Sequence, residues 1–265
     1  GIGAYVPLLF YTHLGTTPLL GVPVGIVLSM LLAAVVGLPT FRLQGHYFTM
    51  ATIAVAELVR IVVVNWAFVG GAVGLSGPMV PRSWLDVSYR SAVPYYYIFL
   101  VVLVGLLAMT WLLARSRFGF YVRALRSSER GARSLGVPVL RYKLLALTLS
   151  AAFTALAGSL YALMIGFADP DSVFGILISV QMVIVAALGG AGTLLGPLIG
   201  AIILVPLATQ ANTMFGGTQT SLTYVIYGGI IMLLCRFEPG GLAEIWFRRS
   251  ARGKQKASDG AARSA

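Results

Sequence analysis

The chain has 265 residues, 58% of them hydrophobic and only 10% charged, with a mean hydropathy of +0.89. Soluble domains carry roughly a quarter of their residues as Asp, Glu, Lys or Arg, so a water-soluble fold is excluded and the 31 Gly fit membrane helices, where glycine is common. A single cysteine, Cys235, rules out an internal disulfide, and the only histidines, His13 and His46, are too few for a metal cluster.

Apolar runs separated by Gly, Pro or charge fall at about 2–12, 19–38, 46–66, 95–114, 144–166, 175–190, 197–211 and 222–235. A crossing takes about 20 apolar residues. The pattern predicts an all-α, polytopic integral membrane helix bundle of about eight spans. The first run starts at Gly1 without an initiator Met or a cleavable leader, which reads as an N-terminally truncated or processed chain. The two runs flanking 189–197 are short and are expected to be tilted, broken or partly re-entrant.

Charge location orients the bundle. Of 19 Lys and Arg, eight lie in 115–143 (Arg115, Arg117, Arg123, Arg126, Arg130, Arg133, Arg141 and Lys143) and seven more lie from Arg236 onward. Cytoplasmic loops retain such residues, so both segments are expected in the cytoplasm, with four crossings between them. This reading puts the loop 67–94, the turn Asp169-Pro170-Asp171 and the loop 212–221 outside. It divides the chain into a transmembrane domain, 1–235, and a basic, disordered, headgroup-facing tail, 236–265.

Small residues recur every four positions at Gly21, Gly25, Ser29, Ala33 and Gly37, at Ser150, Thr154, Gly158, Ala162 and Gly166, and at Gly192, Gly196 and Gly200. Such stripes let membrane helices approach closely. Together with Gly189 and Gly190 they predict tight packing, with gating or a subunit interface as the other use.

Glu57 and Arg60 are an ionised pair at i, i+3 inside an apolar run. They either neutralise one another structurally or line a translocation path. Asn65, Trp66 and Gln181 are weaker path candidates. In the large basic loop, Arg123, Arg126, Arg130 and Arg133 fall on one face of a predicted helix, with Val122, Leu125, Ala132 and Leu135 as its apolar surface and Gly136 as its C-terminal cap before Pro138. Such a helix can lie on anionic headgroups or insert into a groove on a cytoplasmic partner. Phosphate-loop, zinc-protease and serine-hydrolase motifs are absent, so no catalytic residue, metal or cofactor is expected in this chain. The cation distribution also argues against nucleic acid as a partner.

Three blocks carry a resemblance. The first runs from Leu38-Pro39-Thr40-Phe41-Arg42-Leu43-Gln44-Gly45-His46-Tyr47-Phe48 through Glu57-Leu58-Val59-Arg60 and Asn65-Trp66 to Gly70-Gly71-Ala72-Val73-Gly74-Leu75. The second holds Arg123-Ala124-Leu125-Arg126, Glu129-Arg130-Gly131-Ala132-Arg133-Ser134-Leu135-Gly136-Val137, Arg141-Tyr142-Lys143 and Ala157-Gly158-Ser159-Leu160-Tyr161-Ala162. The third is Gly189-Gly190-Ala191-Gly192-Thr193 with Gly196-Pro197 and Gly200-Ala201, closed by Arg236-Phe237-Glu238-Pro239-Gly240-Gly241-Leu242. In order and spacing they resemble the membrane-spanning permease subunits of bacterial branched-chain amino-acid ABC importers, in particular the larger of the two paralogous permeases.

That resemblance implies a second paralogous permease, two cytoplasmic ATPase subunits that bind the ATP, an extracytoplasmic solute-binding protein, and a place in the bacterial inner membrane with a cytoplasmic C-terminus. It also implies an earlier span ahead of Gly1. It makes the loop helix the ATPase-coupling element, carried by Arg123, Arg126, Glu129, Arg130, Arg133 and Gly136. Arg130 and Gly131 stand where such loops often have alanines, and Gly136 follows Glu129 by seven residues rather than six. Urea, short amides or other amino acids suit the same architecture. An ion-coupled carrier would show intramembrane relay charges and paired broken helices, and a scaffold would need no ATPase-docking helix.

Overall fold

The computed structural model describes residues 1–43, 45–77, 92–190, 192–214 and 228–229. The chain divides into two compact units, Gly1–Ile178 and Ser179–Ala265. Among the described residues, five helices are long and apolar enough to cross a membrane: Pro18–Thr40, His46–Asn65, Val93–Arg115, Val139–Ile165 and Pro170–Gly189, with Ile2–Leu14 and Gly196–Gln210 as shorter apolar helices. Seven of the eight expected runs are therefore helical. The eighth, 222–235, lies outside the described residues apart from 228–229, as do the tail 236–265 and the stretches 78–91 and 215–221 of the two expected outer loops.

The first unit is built on α1 (Ile2–Leu14), α2 (Pro18–Thr40) and α7 (Val139–Ile165). Pro18 opens α2, where its missing N–H costs nothing because first-turn amides have no intrahelical acceptor. Between α2 and α7 come α3 (His46–Asn65), α4 (Ala92–Arg115), α5 (Arg117–Ser127) and α6 (Glu129–Ser134). α7 ends at Gly166, whose left-handed backbone (φ 71°) turns the chain into the short α8 (Pro170–Phe174).

Close backbone approach holds α1 between its neighbours. A Cβ on Gly3 would collide with the carbonyl oxygen of Ala155 in α7, and one on Gly21 would stand 2.6 Å from the Cα of Pro7. The fully buried Ser159 hydroxyl lies 2.6 Å from the Gly3 carbonyl and 2.9 Å from that of Ala155, so its one proton serves an interhelical or an intrahelical acceptor. Around this contact Ala4, Tyr5, Leu8, Val69, Leu75, Ala162 and Ala168 form the core.

The small-residue stripe on α2 faces two neighbours. Gly21 and Gly25 meet α1, whereas Gly37 meets Leu144 and Leu147 of α7. On α7 the buried face includes Ala155, Ser159 and Ala162; of the expected stripe Ala162 is fully buried and Gly158 lies against α1, whereas Thr154 is exposed. α3 has no buried residue, and α3 and α4 present large apolar side chains outward, as lipid-facing helices do.

At one end of this unit Leu75 and Ser76 (β1) pair antiparallel with Ala168 and Phe167 (β2), and Gly77 N–H donates to Gly166 O at 2.7 Å. His13 joins them by stacking on Phe68 with ring centroids 4.5 Å apart. The connections after α1, α3 and α7 thus gather at one end, and the basic loop lies at the opposite end of the 27-residue α7.

In the second unit α9 (Ile176–Gly189), which begins in the first, meets α10 (Gly196–Met214) through Ile184, Leu188, Leu204 and Ala208. Their backbones touch. A Cβ on Gly189 would strike Gly196 O, and one on Gly200 would strike Val185 O.

These contacts separate three substitutions by outcome. Ser159→Ala is expected to cost about 0.6 kcal/mol, the usual size of an interhelical hydrogen bond in a membrane protein. Gly3→Ala is expected to cost more, because backbone must move. Gly158→Ala is expected to be close to neutral, since its Cβ would sit 3.6 Å from the nearest backbone atom. Thermal unfolding of the detergent-purified chain ranks them, and a Gly3→Ala loss no larger than that of Gly158→Ala would refute the contact.

Candidate functional site

A cavity of about 370 Å³ opens between α1, α2, α3 and α7. Its walls are Leu32, Val36, Val55, Val59 and Leu147, with small residues Ser29, Ala33, Ala151 and Ala155 giving it width. Thr40, Thr52 and Thr154 also line it and donate their hydroxyl protons to Val36 O, Thr49 O and Ser150 O within their own helices. They therefore offer acceptor lone pairs rather than donors. A second groove of about 510 Å³ between α1, α2 and α3 is lined by apolar and aromatic residues, including Leu28, Leu31, Val62 and Trp66. The buried Tyr5 beside it has no hydrogen-bond partner for its hydroxyl among the described residues.

The Glu57 and Arg60 pair forms: Arg60 Nη1 donates to Glu57 Oε1 at 2.6 Å. Spacing did not reveal that Arg60 also donates to Asp171 of α8, through Nε at 3.1 Å and through Nη2. Arg60 lies about 7.5 Å along the axis from Asn65, the last residue of α3, so this is a three-charge network near a helix end rather than a mid-span pair. Asp169 caps α8 by accepting from Ser172 N–H at 3.0 Å and from the Ser172 hydroxyl. That hydroxyl bond is the main force holding the Asp169 carboxyl below the usual range.

Asn65 spends its amide on Ile61 O in its own helix at 2.8 Å, and Trp66 is exposed. Gln181 is half-buried in α9 and belongs to the second unit. Gly189, Gly196 and Gly200 stand where α9 meets α10, while Gly190 and Gly192 occupy the turn between them.

The basic loop differs from the expected single helix. Ser128 is extended (φ −159°, ψ 110°), ending α5 and capping α6 by accepting from Gly131 N–H at 3.1 Å. The four arginines therefore do not share one continuous face. Ser128 is also the reason, since a serine hydroxyl that caps a new helix competes with continuing the old one.

Of the expected coupling residues, Arg123, Glu129 and Arg133 make the contacts below within the chain, and Arg126 is engaged as well. Arg123 donates to Ala114 O at the end of α4 at 2.7 Å and to Gly119 O. Glu129 accepts from Lys143 of α7 at 2.6 Å and from Arg133 at 3.4 Å. Arg130 is exposed and makes no ion pair among the described residues, and Gly136 (φ 80°) turns the chain after α6, with Val137 N–H donating to Ala132 O. Leu135, expected on the apolar face, is exposed.

The chain matches the family described as branched-chain amino acid transport system, permease component, over residues 1–235. It belongs to that permease family. It is 30% identical to the high-affinity branched-chain amino acid transport system permease protein LivM of Escherichia coli K12, over 91% of this chain and 61% of the relative. The chain thus spans under two thirds of that relative's length. A probable branched-chain amino acid transport permease protein LivM of Methanocaldococcus jannaschii is 22% identical over 86% of the chain and 71% of the relative. The autoinducer 2 import system permease protein LsrC of Klebsiella pneumoniae is 34% identical over 60% and 46%. No solved structure matches the chain. With its several long apolar helices, this family member is a multi-pass membrane protein.

The charge network has a measurable size. Glu57, Arg60 and Asp171 side chains are 41%, 30% and 74% accessible, so solvent screening keeps their coupling small. A double-mutant cycle of Arg60→Gln with Asp171→Asn, read by thermal unfolding, is expected to give a small favourable coupling that shrinks with added salt. A coupling indistinguishable from zero at low salt would remove the bridge.

Proposed function

We propose that the chain is the translocating subunit of an ATP-driven importer that moves leucine, isoleucine and valine into the cytoplasm. Its membership of the permease family over nearly all its membrane-embedded length carries this reading. In this reading 1–235 is the permease domain, paired with a second paralogous permease in the bacterial inner membrane. An extracytoplasmic solute-binding protein delivers the substrate at the end where β1 and β2 pair. Two ATPase subunits, which bind the ATP, dock at the opposite end against the loop 115–143, with the tail 236–265 also cytoplasmic. The asymmetry of Lys and Arg supports that orientation.

The apolar cavity with sparse hydroxyl acceptors suits a branched aliphatic side chain. Closure of the ATPases would push on α5 and α6. The push reaches α7 through Glu129 and Lys143, and α4 through Arg123, and tilting these helices switches the cavity between outward and inward access. Arg126 and Arg130 are the docking cations in this scheme, and Glu57, Arg60 and Asp171 form its outer gate. Gly189, Gly196 and Gly200 provide the close α9 to α10 contact. A second reading, another small polar solute on the same architecture, draws support from the likeness to the autoinducer 2 permease.

Two experiments test this. Reversing Arg126 and Arg130 to Glu is expected to abolish ATP-dependent uptake or ATPase co-purification while membrane insertion persists; normal uptake in vesicles refutes the docking role. Filling the cavity with Ala33→Leu is expected to cut leucine uptake by an order of magnitude or more, at about 1.4 kcal/mol per tenfold, without loss of assembled complex. Competition of labelled leucine by isoleucine, valine, urea and autoinducer 2 in the reconstituted importer then separates the two substrate readings.

A further inference from the structure

The turn from α2 to α3, α6 and the start of α7 enclose a polar cavity of about 510 Å³ at the basic end of the first unit. Arg42, Arg133 and Lys143 line it against one carboxylate, Glu129. Glu129 holds Lys143 at 2.6 Å and Arg133 at 3.4 Å, and one carboxylate cannot neutralise three cations. Arg42 makes no ion pair or hydrogen bond through its side chain among the described residues. The long α7 starts here at Val139 with Pro138 before it and no side-chain cap, so the positive end of its dipole faces the same region, and Leu140 of its first turn lines the cavity.

The remaining wall is apolar. Leu140 is exposed at it, and the Phe41 ring lies 6.0 Å from the Lys143 ammonium. A soluble anion has no use for such a wall. A phosphodiester attached to glycerol and acyl chains matches both halves: the phosphate meets Arg42, Lys143 and the α7 amides, and the glycerol meets Phe41 and Leu140. The height also fits, because α2 ends and α3 and α7 begin here, at headgroup level for helices that span the bilayer.

We infer that this cavity is a binding site for the headgroup of an anionic phospholipid. Basic pockets between spans are a recognised form of lipid recognition. The cavity is lined by Arg133 and Lys143 of this loop region, while the exposed Arg130 lies outside it. The inference rests on the assignment of α2, α3 and α7 as spans and not on the import reading.

The test is a thermal-shift titration of the full detergent-purified chain with phosphatidylglycerol, phosphatidylcholine of the same acyl length, and inorganic phosphate. Phosphatidylglycerol is expected to stabilise saturably and the other two are not. Arg42→Gln is expected to weaken the apparent affinity about fivefold, and Lys143→Gln at least as much. Arg130→Gln, an exposed cation outside the cavity, is expected to leave it unchanged. Arg42 anchors the test because its loss breaks no ion pair. Equal stabilisation by phosphatidylcholine, or stabilisation by free phosphate alone, overturns the headgroup assignment. An Arg130→Gln loss as large as that of Arg42→Gln overturns the site in favour of diffuse attraction.

Discussion

The first unit depends on backbones meeting without side chains between them. In lipid the hydrophobic effect does not drive helices together, so packing and interhelical hydrogen bonds must do so. Gly3 against Ala155, Gly21 against Pro7, and the Ser159 hydroxyl between α1 and α7 supply both. With α1 locked between α2 and α7, α3 is left loosely applied, and the 370 Å³ cavity is the space this creates. The same stripe on α2 serves both purposes: its glycines close the bundle, and Ser29 and Ala33 leave it open.

The basic loop has a comparable division of labour. Arg123 ties α5 to the end of α4, and Glu129 ties α6 to α7 through Lys143, with the extended Ser128 between them. A displacement applied to the loop therefore reaches two spans by separate routes. Arg133 and Glu129, which look like solvent-facing partners of a docking protein when written as a helical wheel, are engaged inside the chain.

Legibility followed the range of the interaction. The helices at 18–40, 46–65, 92–115 and 139–165 were readable because an apolar run of membrane length is a local signal. The Glu57 and Arg60 pair was readable because both lie on one helix turn. Asp171 was not, since it is 111 residues from Arg60 and only the fold brings α8 to α3. Ser159 was hidden for a subtler reason: the four-residue spacing on α7 correctly marks Gly158 and Ala162, but the fully buried hydroxyl that bonds α1 sits between them, outside that spacing. The break at Ser128 was visible in principle, as Ser followed by Glu129 before a short run is an N-cap pattern, but the regular arginine spacing masks it.

The bond between Gly3 and Ser159 joins residues 156 positions apart. At about 5–20 residues per second of synthesis, α1 waits roughly eight to thirty seconds for its partner to be made. Of its two close neighbours, α2 is therefore made first and α7 last. The order of synthesis thus lets the α1 to α2 contact precede the α1 to α7 contact, so the hydrogen bond that ties α1 to α7 cannot form until Ser159 has been made.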